Sequence, residues 1–187
     1  RRRARVMLVA SLEVSPSAGL PAEDHPIDGA ASALGARPHG FYWTEGLGGL
    51  GWAVDAVPTL KNGSTIGIAS PPAVLMPDGR VLKPGIQDGE RLQGFDADWT
   101  QPAETVARSA ARWSLVGSAV SVPVAQWVGR RLREPGTYDL SRDSGFPLHG
   151  RPPRAARFDG KQRFSVRIST DPPGIQPPSI TELLRDP

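Results

Sequence analysis

Arginine is the residue type in this chain whose number and spacing point most directly to a chemistry. Four arginines fall within the first five positions, and the span from 108 to 167 holds twelve Arg or Lys residues against four Asp or Glu residues. A guanidinium is planar and pairs with two phosphate oxygens at once, so this pattern favours contact with the phosphate backbone of a nucleic acid. Two plainer explanations stay open, because arginine-rich usage can reflect genome composition and a basic chain end can simply be solvated.

The chain contains no cysteine, which excludes several kinds of site. It has no disulfide, no thiolate metal ligand and no cysteine nucleophile. No apolar run approaches membrane-spanning length, and residues 1–11 lack the long apolar core of a signal peptide, so we expect a cytoplasmic protein. The chain starts at Arg1 instead of methionine and runs straight into an apolar segment. We therefore expect the ordered protein to continue upstream.

Length and composition limit the architecture. A chain of 187 residues can form one domain with a real core, or one domain with a small appendage. Its 21 glycines and 20 prolines indicate that much of the backbone lies in turns and irregular loops. Residues 15–39 hold four of these prolines and show no sustained period, which predicts a loop or linker.

The most clearly delimited element is a helix predicted over residues 84–95. Pro84 suits a first helical turn, which tolerates a missing amide, and Asp88 and Glu90 place negative charge in the early turns. Gly94 supplies a left-handed stop. Taken alone, this segment would be an ordinary surface helix.

Apolar runs predict several strands. Residues 5–10 form a compact run of the kind that a central strand buried on both faces shows. Residues 164–168 alternate as in a half-buried strand. Two more short strands are predicted at 65–69 and 73–76, with a turn at Asp78-Gly79 after the second.

Three more helices are predicted. An alanine-rich stretch leads up to Leu115, and apolar residues recur at near-helical spacing from Val120 to Val128. Ser179 and Glu182 fit a capping box that starts a helix running to the chain end.

Aromatic and glycine residues are concentrated between positions 41 and 52. Phe41, Tyr42 and Trp43 stand side by side, four glycines follow, and Trp52 closes the segment. Glycine lets backbone approach a ligand closely, and aromatic rings offer flat stacking faces. A small aromatic core with glycine turns explains the same residues equally well.

Three segments resemble, in order and spacing, motifs of the DNA cytosine-5 methyltransferases. Residues 1–5 resemble motif eight, with Arg1 where glutamine is expected. Residues 91–95, Arg-Leu-Gln-Gly-Phe, resemble motif nine, and Gly117-Ser118-Ala119-Val120 resembles motif ten, with Ser118 in place of asparagine. Any one motif would be weak, and it is their order over residues 1–133 that carries the resemblance.

The resemblance implies an α/β fold. It would be an incomplete doubly wound S-adenosylmethionine-dependent methyltransferase domain with a small mixed, mainly β target-recognition module. Residues 1–14 would belong to the catalytic domain, 15–80 to the target-recognition region, and 81–133 to motifs nine and ten, which return to the catalytic domain. Residues 134–187 would form a basic, Pro-rich C-terminal extension.

Site residues follow from the resemblance in the same way. Arg3 and Arg5 would be catalytic, because a fixed cation near O2 of the target cytosine stabilises the charge that develops on the ring. The cofactor-binding residues beside the methionine part of S-adenosylmethionine would be Gly117, Ser118, Ala119 and Val120. Arg91 and Asp88 would be structural, bracing the recognition module against the catalytic domain.

The DNA-binding residues would come from the recognition region. Thr59-Leu60 matches a Thr-Leu pair that recurs in the recognition regions of this family. The full set expected to contact double-stranded DNA is Tyr42, Trp43, Thr59, Leu60, Lys61 and Ser64. No metal is expected.

The implied reaction is methyl transfer from S-adenosylmethionine to C5 of cytosine in DNA, as in restriction-modification systems. It requires a thiolate that adds at C6, an acid at N3 and a base flipped out of the duplex. The family takes the first two from a Pro-Cys and a Glu-Asn-Val motif, and this chain has neither, nor the Phe-x-Gly-x-Gly cofactor loop. We therefore expect this chain to be inactive alone and to act with an upstream catalytic half. The alternatives are a non-catalytic remnant or DNA-binding specificity module, and an unrelated strand-rich binding protein.

Overall fold

A computed structural model describes residues 8–10, 36–42, 52–60, 72–168 and 178–185. The chain divides into two compact units. Unit 1 comprises Arg1–Arg5, Ala30–Val122 and Pro177–Pro187, and unit 2 comprises Val6–Gly29 and Pro123–Gln176.

The helices and strands of the described residues are short. In chain order they are β1 (His39–Phe41), β2 (Ala53–Val54), β3 (Ala73–Leu75), β4 (Val81–Leu82), α1 (Ile86–Gln93), a 3-10 helix (Gln101–Thr105), α2 (Ala110–Ser118), α3 (Val122–Arg133), a 3-10 helix (Leu140–Arg142), β5 (Asp143–Gly145), β6 (Ala156–Phe158), β7 (Arg163–Val166) and α4 (Ile180–Leu183).

The first four strands form the sheet of unit 1. It is antiparallel throughout, in the order β2-β1-β3-β4. Gly40 lies in β1, and its amide donates a hydrogen bond to the carbonyl of Ala56 at 3.1 Å. A Cβ at Gly40 would lie 2.7 Å from the Cα of Val57, so only glycine lets the chain after β2 pack this closely against β1.

The apolar core of unit 1 draws on segments far apart in the chain. Its buried members are Val57, Leu60, Val74, Leu92, Val116 and Ile180. Ile180, in α4, is only 1% exposed. Asp55 holds the start of α4, because its Oδ1 accepts hydrogen bonds from the Ser179 hydroxyl and the Ile180 amide, each at 2.9 Å. The C-terminal helix is therefore a structural part of unit 1.

Unit 2 contains helix α3 from Pro123 onward and a three-stranded antiparallel sheet in the order β5-β7-β6. Arg157 of β6 links the three strands. Its Nη2 lies 2.5 Å from Oδ2 of Asp143 in β5, and its guanidinium carbon lies 4.4 Å from the ring centre of Phe164 in β7. Tyr138 donates its hydroxyl proton to the same carboxylate at 2.6 Å. Burial and the hydrogen bond to Asp143 raise the pKa of Tyr138 to about 12.

Several elements confirm the sequence-based predictions. Helix and sheet are mixed, and the capped helix predicted over 84–95 is α1, which Gly94 ends with a φ of 87°. Pro84 precedes this helix instead of occupying its first turn, because Gly85 is the N-cap residue. The strands predicted at 73–76 and 164–168 correspond to β3 and β7. The strand predicted at 65–69 lies outside the described residues.

The central strand predicted over residues 5–10 is wrong for the residues that the structure describes. Leu8–Ala10 belong to no strand, and Leu8 is 93% exposed. The pairings between the described strands are all antiparallel, whereas a doubly wound sheet is mostly parallel. The doubly wound domain therefore stays a prediction.

Gly117, the first residue of the segment that resembles motif ten, lies inside the last turn of α2. After residue 133 the chain forms the sheet of unit 2, and at α4 it contributes to the core of unit 1. That helix ends at Leu183, short of the chain end.

Among the described residues, no helix combines the length and the apolar character needed to cross a bilayer.

Replacing Ile180 with alanine tests whether α4 belongs to the core. The change removes a buried side chain and leaves a cavity, so the free energy of unfolding should fall by about 2–4 kcal/mol in urea titrations. Val106→Ala is the matched control, because Val106 is 87% exposed and its loss should change stability by at most about 0.5 kcal/mol. Equal effects of the two substitutions would show that α4 contributes nothing to the core.

Candidate functional site

Helix α1 carries the residues that resemble motif nine, and Asp88 caps its start. The Gly85 amide donates to Oδ2 of Asp88 at 3.0 Å, which satisfies one of the backbone donors that a helix N-terminus leaves open. Asp88 is buried, and its Oδ1 lies 2.5 Å from Nη2 of Arg91 and 2.9 Å from the amide of Arg185. Arg91 in turn donates to the carbonyl of Leu183 at 2.9 Å. The Asp88–Arg91 pair is structural, as expected, but these contacts hold the C-terminal segment.

A second ion pair joins α1 to α2. Glu90 is fully buried, and its carboxylate lies 3.1 Å from Nη2 of Arg112. Its oxygens also accept from the amides of Asp98 at 2.6 Å and Thr100 at 2.8 Å, and from the Thr100 hydroxyl. Arg112 makes further ion pairs with Asp98 at 2.9 Å and Glu104 at 3.2 Å. The side chains of Glu90 and Arg112 thus hold the segment between the two helices in place.

The pKa of each member of this pair shifts in favour of its charged form. Burial by itself would raise the pKa of Glu90, but hydrogen bonds from Thr100, Arg112 and the Asp98 amide outweigh it and lower the pKa. Burial would likewise lower the pKa of Arg112, and its bonds to Asp98, Glu90 and Glu104 raise it instead. Glu90 is therefore ionised in the folded protein at neutral pH.

Gln93 connects the two segments that resemble motifs nine and ten. Its side chain is completely buried, and Nε2 donates to the carbonyl of Val116 at 2.5 Å. Its Oε1 accepts from the hydroxyl of Ser121 at 3.0 Å. Since Val116 and Ser121 stand immediately before and after the segment 117–120, one amide group holds that segment at both ends.

A groove of about 330 Å³ lies beside this segment in unit 1. Ala119 contributes to its lining, together with the apolar side chains of Phe95, Trp99 and Leu115. The rings of Phe95 and Trp99 stack with centroids 5.7 Å apart, and Trp99 is 63% exposed. The groove is thus an apolar, partly aromatic surface that both motif segments help to form.

The residues predicted to bind the cofactor are close together. Gly117 is buried, Ala119 is half-buried, and Ser118 and Val120 are exposed. Their backbone leaves the end of α2, and Ala119 follows it with extended dihedral angles. The structure therefore places two of the four predicted side chains on the surface and one in the lining of the groove.

Three of the six residues predicted to contact DNA lie within the described part of the chain. Leu60 is 2% and Tyr42 is 7% exposed, and the Tyr42 hydroxyl donates to the Thr59 carbonyl. Both side chains have packing roles, and a DNA contact by either would require it to leave the core. Thr59 is half-buried. The other predicted site residues, which are Arg3, Arg5, Trp43, Lys61 and Ser64, lie outside the described residues.

Sequence reasoning missed Arg112 and Gln93 as organising residues. Gln93 stands inside the motif-nine resemblance, and that position is the one signal in the sequence for its role. No local pattern separates Arg112 from the other arginines of the chain. Within the described ranges, no group of three or more His, Asp or Glu residues could hold a metal ion.

The chain is similar over its whole length to the Type II methyltransferase M2.BsuMI of Bacillus subtilis (strain 168). The two proteins are 40% identical over 195 aligned residues, which cover 100% of this chain and 50% of that protein. The chain thus spans half the length of the relative that it matches. No family model matches the chain, and no solved structure matches it.

Replacing Glu90 with glutamine tests the buried ion pair through the pH dependence of stability. Folding lowers the pKa of Glu90. The contribution of its charge to the free energy of unfolding should therefore be complete above about pH 4.3, the pKa of glutamate in the unfolded chain. It should be lost as the pH falls below that value. We expect Glu90→Gln to lower the free energy of unfolding by about 3 kcal/mol at pH 7 and by progressively less below about pH 4.3.

Urea titrations of both proteins between pH 3 and pH 7 measure this difference. Glu182→Gln is the control, since Glu182 is exposed and its neutralisation should change stability by at most about 0.5 kcal/mol. If the difference in the free energy of unfolding between the unmodified protein and Glu90→Gln stayed constant down to pH 3, Glu90 would not be ionised in the folded protein.

Replacing Gln93 with leucine tests the link between the motif segments. The change removes two hydrogen bonds of a buried side chain, so the free energy of unfolding should fall by about 1–3 kcal/mol. Ser121→Ala removes one of them and should cost about half as much. Gln101→Leu, at an exposed position, is the control. In hydrogen exchange, amides of residues 117–121 should lose protection in Gln93→Leu but not in Gln101→Leu, and unchanged protection would show that Gln93 does not hold this segment.

Proposed function

We propose that this chain, which belongs to the DNA methyltransferase family, is the C-terminal part of an enzyme that methylates C5 of cytosine in DNA. The observation that carries the proposal is the 40% identity to a Type II methyltransferase over 100% of the chain and 50% of that relative. The order and spacing of the resemblances to motifs eight, nine and ten support the choice of cytosine C5 and of the C-terminal part.

S-adenosylmethionine would supply the methyl group, which it carries on a sulfonium sulfur. The groove beside α2 fits one wall of a site for this cofactor. It offers flat faces from Phe95 and Trp99 and a small side chain, Ala119, that lets a ligand come close. The residues that we propose to hold the methionine part are Gly117, Ser118, Ala119 and Val120.

Gln93 would act as a positioning residue in this site. Its bonds to the Val116 carbonyl and the Ser121 hydroxyl limit the movement of segment 117–120 at both ends. A buried amide with two partners is hard to displace, because each unmade bond costs about 1–3 kcal/mol. The segment would therefore meet the cofactor without reordering, which lowers the entropy lost on binding.

The reactive thiolate must come from outside this chain, since the chain contains no cysteine. We propose an upstream catalytic half that supplies the thiolate, the acid at N3 and the other walls of the cofactor site. Arg3 and Arg5 would reach the flipped cytosine from the side of this chain, where a fixed cation stabilises negative charge near O2.

The region from 15 to 80 would recognise double-stranded DNA. Within it, Trp43, Thr59, Lys61 and Ser64 are the proposed contacts. Tyr42 and Leu60 would support them from inside the module, in keeping with their burial. We propose that the whole enzyme acts in the cytoplasm as the methyltransferase of a restriction-modification system.

Reconstitution with a catalytic half tests this function. The chain is mixed with a half that carries the Pro-Cys and Glu-Asn-Val motifs, duplex DNA and S-adenosylmethionine labelled in the methyl group. We expect label to enter DNA only when both halves are present, and digestion of the DNA to release it as 5-methylcytosine.

Two controls make the result decisive. A catalytic half with serine in place of the Pro-Cys cysteine should transfer no label, because a hydroxyl at neutral pH does not add to C6. Label recovered on an exocyclic nitrogen would contradict the assignment to C5. DNA binding without transfer in the matched mixture would instead support a non-catalytic DNA-binding module.

A further inference from the structure

Within residues 123–168, basic side chains outnumber acidic ones, and the ion pairs of this span do not remove the excess. The described span 123–168 holds ten Arg or Lys residues against four Asp or Glu residues. Each acidic side chain accepts hydrogen bonds from close neighbours: Glu134 from Arg133, Asp139 from Ser141, Asp143 from Arg157, and Asp159 from the amides of Lys161 and Gln162. Seven of the ten basic residues are exposed, and within the described residues neither Lys161 nor Arg163 forms an ion pair with a carboxylate.

Two of these basic residues stand at a groove. Arg163 begins β7 and lies directly opposite Phe158 of β6, so the two side chains share one face of the sheet. Lys161 lies in the turn between the same strands, where Gly160 takes a φ of 95°. Phe158, Lys161 and Arg163 line a groove of about 740 Å³. Leu148, in the loop after β5, lies at its border.

The groove combines exposed positive charge with exposed apolar surface. Arg163 and Lys161 are exposed, and Phe158 is 61% exposed. The acidic residue in the lining is Asp143, whose carboxylate is 2.5 Å from Arg157 and so contributes little net negative charge. A partner for this groove must therefore be negatively charged and also have an apolar edge.

We propose that this groove binds the phosphodiester backbone of duplex DNA, as a contact separate from the recognition region at residues 15–80. Arg163 and Lys161 bind phosphate oxygens, and Phe158 contacts the apolar face of the deoxyribose between them. The choice of duplex DNA over another polyanion rests on the proposed function. The charge and shape of the groove are independent of it.

Such a contact would add affinity without reading sequence. Phosphate contacts supply most of the salt-dependent free energy of DNA binding, while base contacts supply specificity. The groove would thus hold the enzyme on DNA while the recognition region tests the bases. It also gives a role to the part of the chain, residues 134–168, that carries no motif resemblance.

The test measures binding of the full chain to a fluorescein-labelled duplex of 30 base pairs by fluorescence anisotropy between 50 and 200 mM KCl. Removing two phosphate contacts in Lys161→Ala/Arg163→Ala should reduce the slope of log K against log salt by about 2. The affinity at 0.1 M salt should fall by about 10- to 100-fold. Phe158→Ala should weaken binding about 3- to 10-fold and leave the slope unchanged, because it removes no charge.

Arg130→Ala/Arg133→Ala is the matched control, since it removes two exposed positive charges from α3 of the same unit. An equal loss of affinity and slope in this control would show that net charge alone is responsible and would overturn the proposal. Absence of binding by the unmodified chain at 50 mM KCl, or an unchanged slope in Lys161→Ala/Arg163→Ala, would overturn it as well. Urea unfolding of each variant checks folding, and if the double variant is unfolded, Phe158→Ala and single Arg163→Ala provide the test.

Competition distinguishes DNA from other polyanions. Unlabelled duplex should displace the probe at lower charge concentration than polyglutamate does, and equal displacement would contradict the assignment to DNA. The anisotropy experiment does not read methyl transfer. A chain that binds through the groove but supports no transfer would reject the proposed function alone, whereas transfer with normal binding by the double variant would reject this inference alone.

Discussion

The arrangement of unit 1 depends on a carboxylate that has no access to water. An ionised Glu90 is tolerated in the interior only because Arg112, Thr100 and the Asp98 amide surround it with donors. Those donors come from α2 and from the loop between the helices, so each must keep its place for the charge to remain satisfied. The ion pair therefore fixes the distance between α1 and α2, and Trp113 packs closely against Gly89 at the same contact.

That fixed contact explains how two short motif resemblances, far apart in the sequence, act as one surface. Once α1 and α2 are held together, Gln93 reaches the backbone on both sides of segment 117–120. The groove with Phe95, Trp99 and Ala119 forms where the segments meet. Residues in the protein interior thus hold this surface in place, and it is the surface that we propose for the cofactor.

Arginine has two different roles in this protein, and burial separates them. Arg112 and Arg157 are mostly enclosed, pair with carboxylates and join elements of their own unit. Arg163 is exposed on β7, the central strand of the unit 2 sheet. From the sequence alone such residues look like one basic surface. In the structure, those with buried carboxylate partners join elements of the fold, and the exposed ones remain free to meet an anionic partner.

Short helices and strands could be predicted from the sequence, whereas contacts between distant segments could not. The helix α1 and the strands β3 and β7 follow from signals a few residues apart, such as the left-handed stop at Gly94, so the sequence by itself determined them. Only the tertiary structure decided that Glu90 pairs with Arg112, that Ile180 enters the core and that residues 143–166 form a sheet. The physical reason is that burial and pairing depend on which distant segments meet in space. Neighbouring residues in the chain do not carry that information.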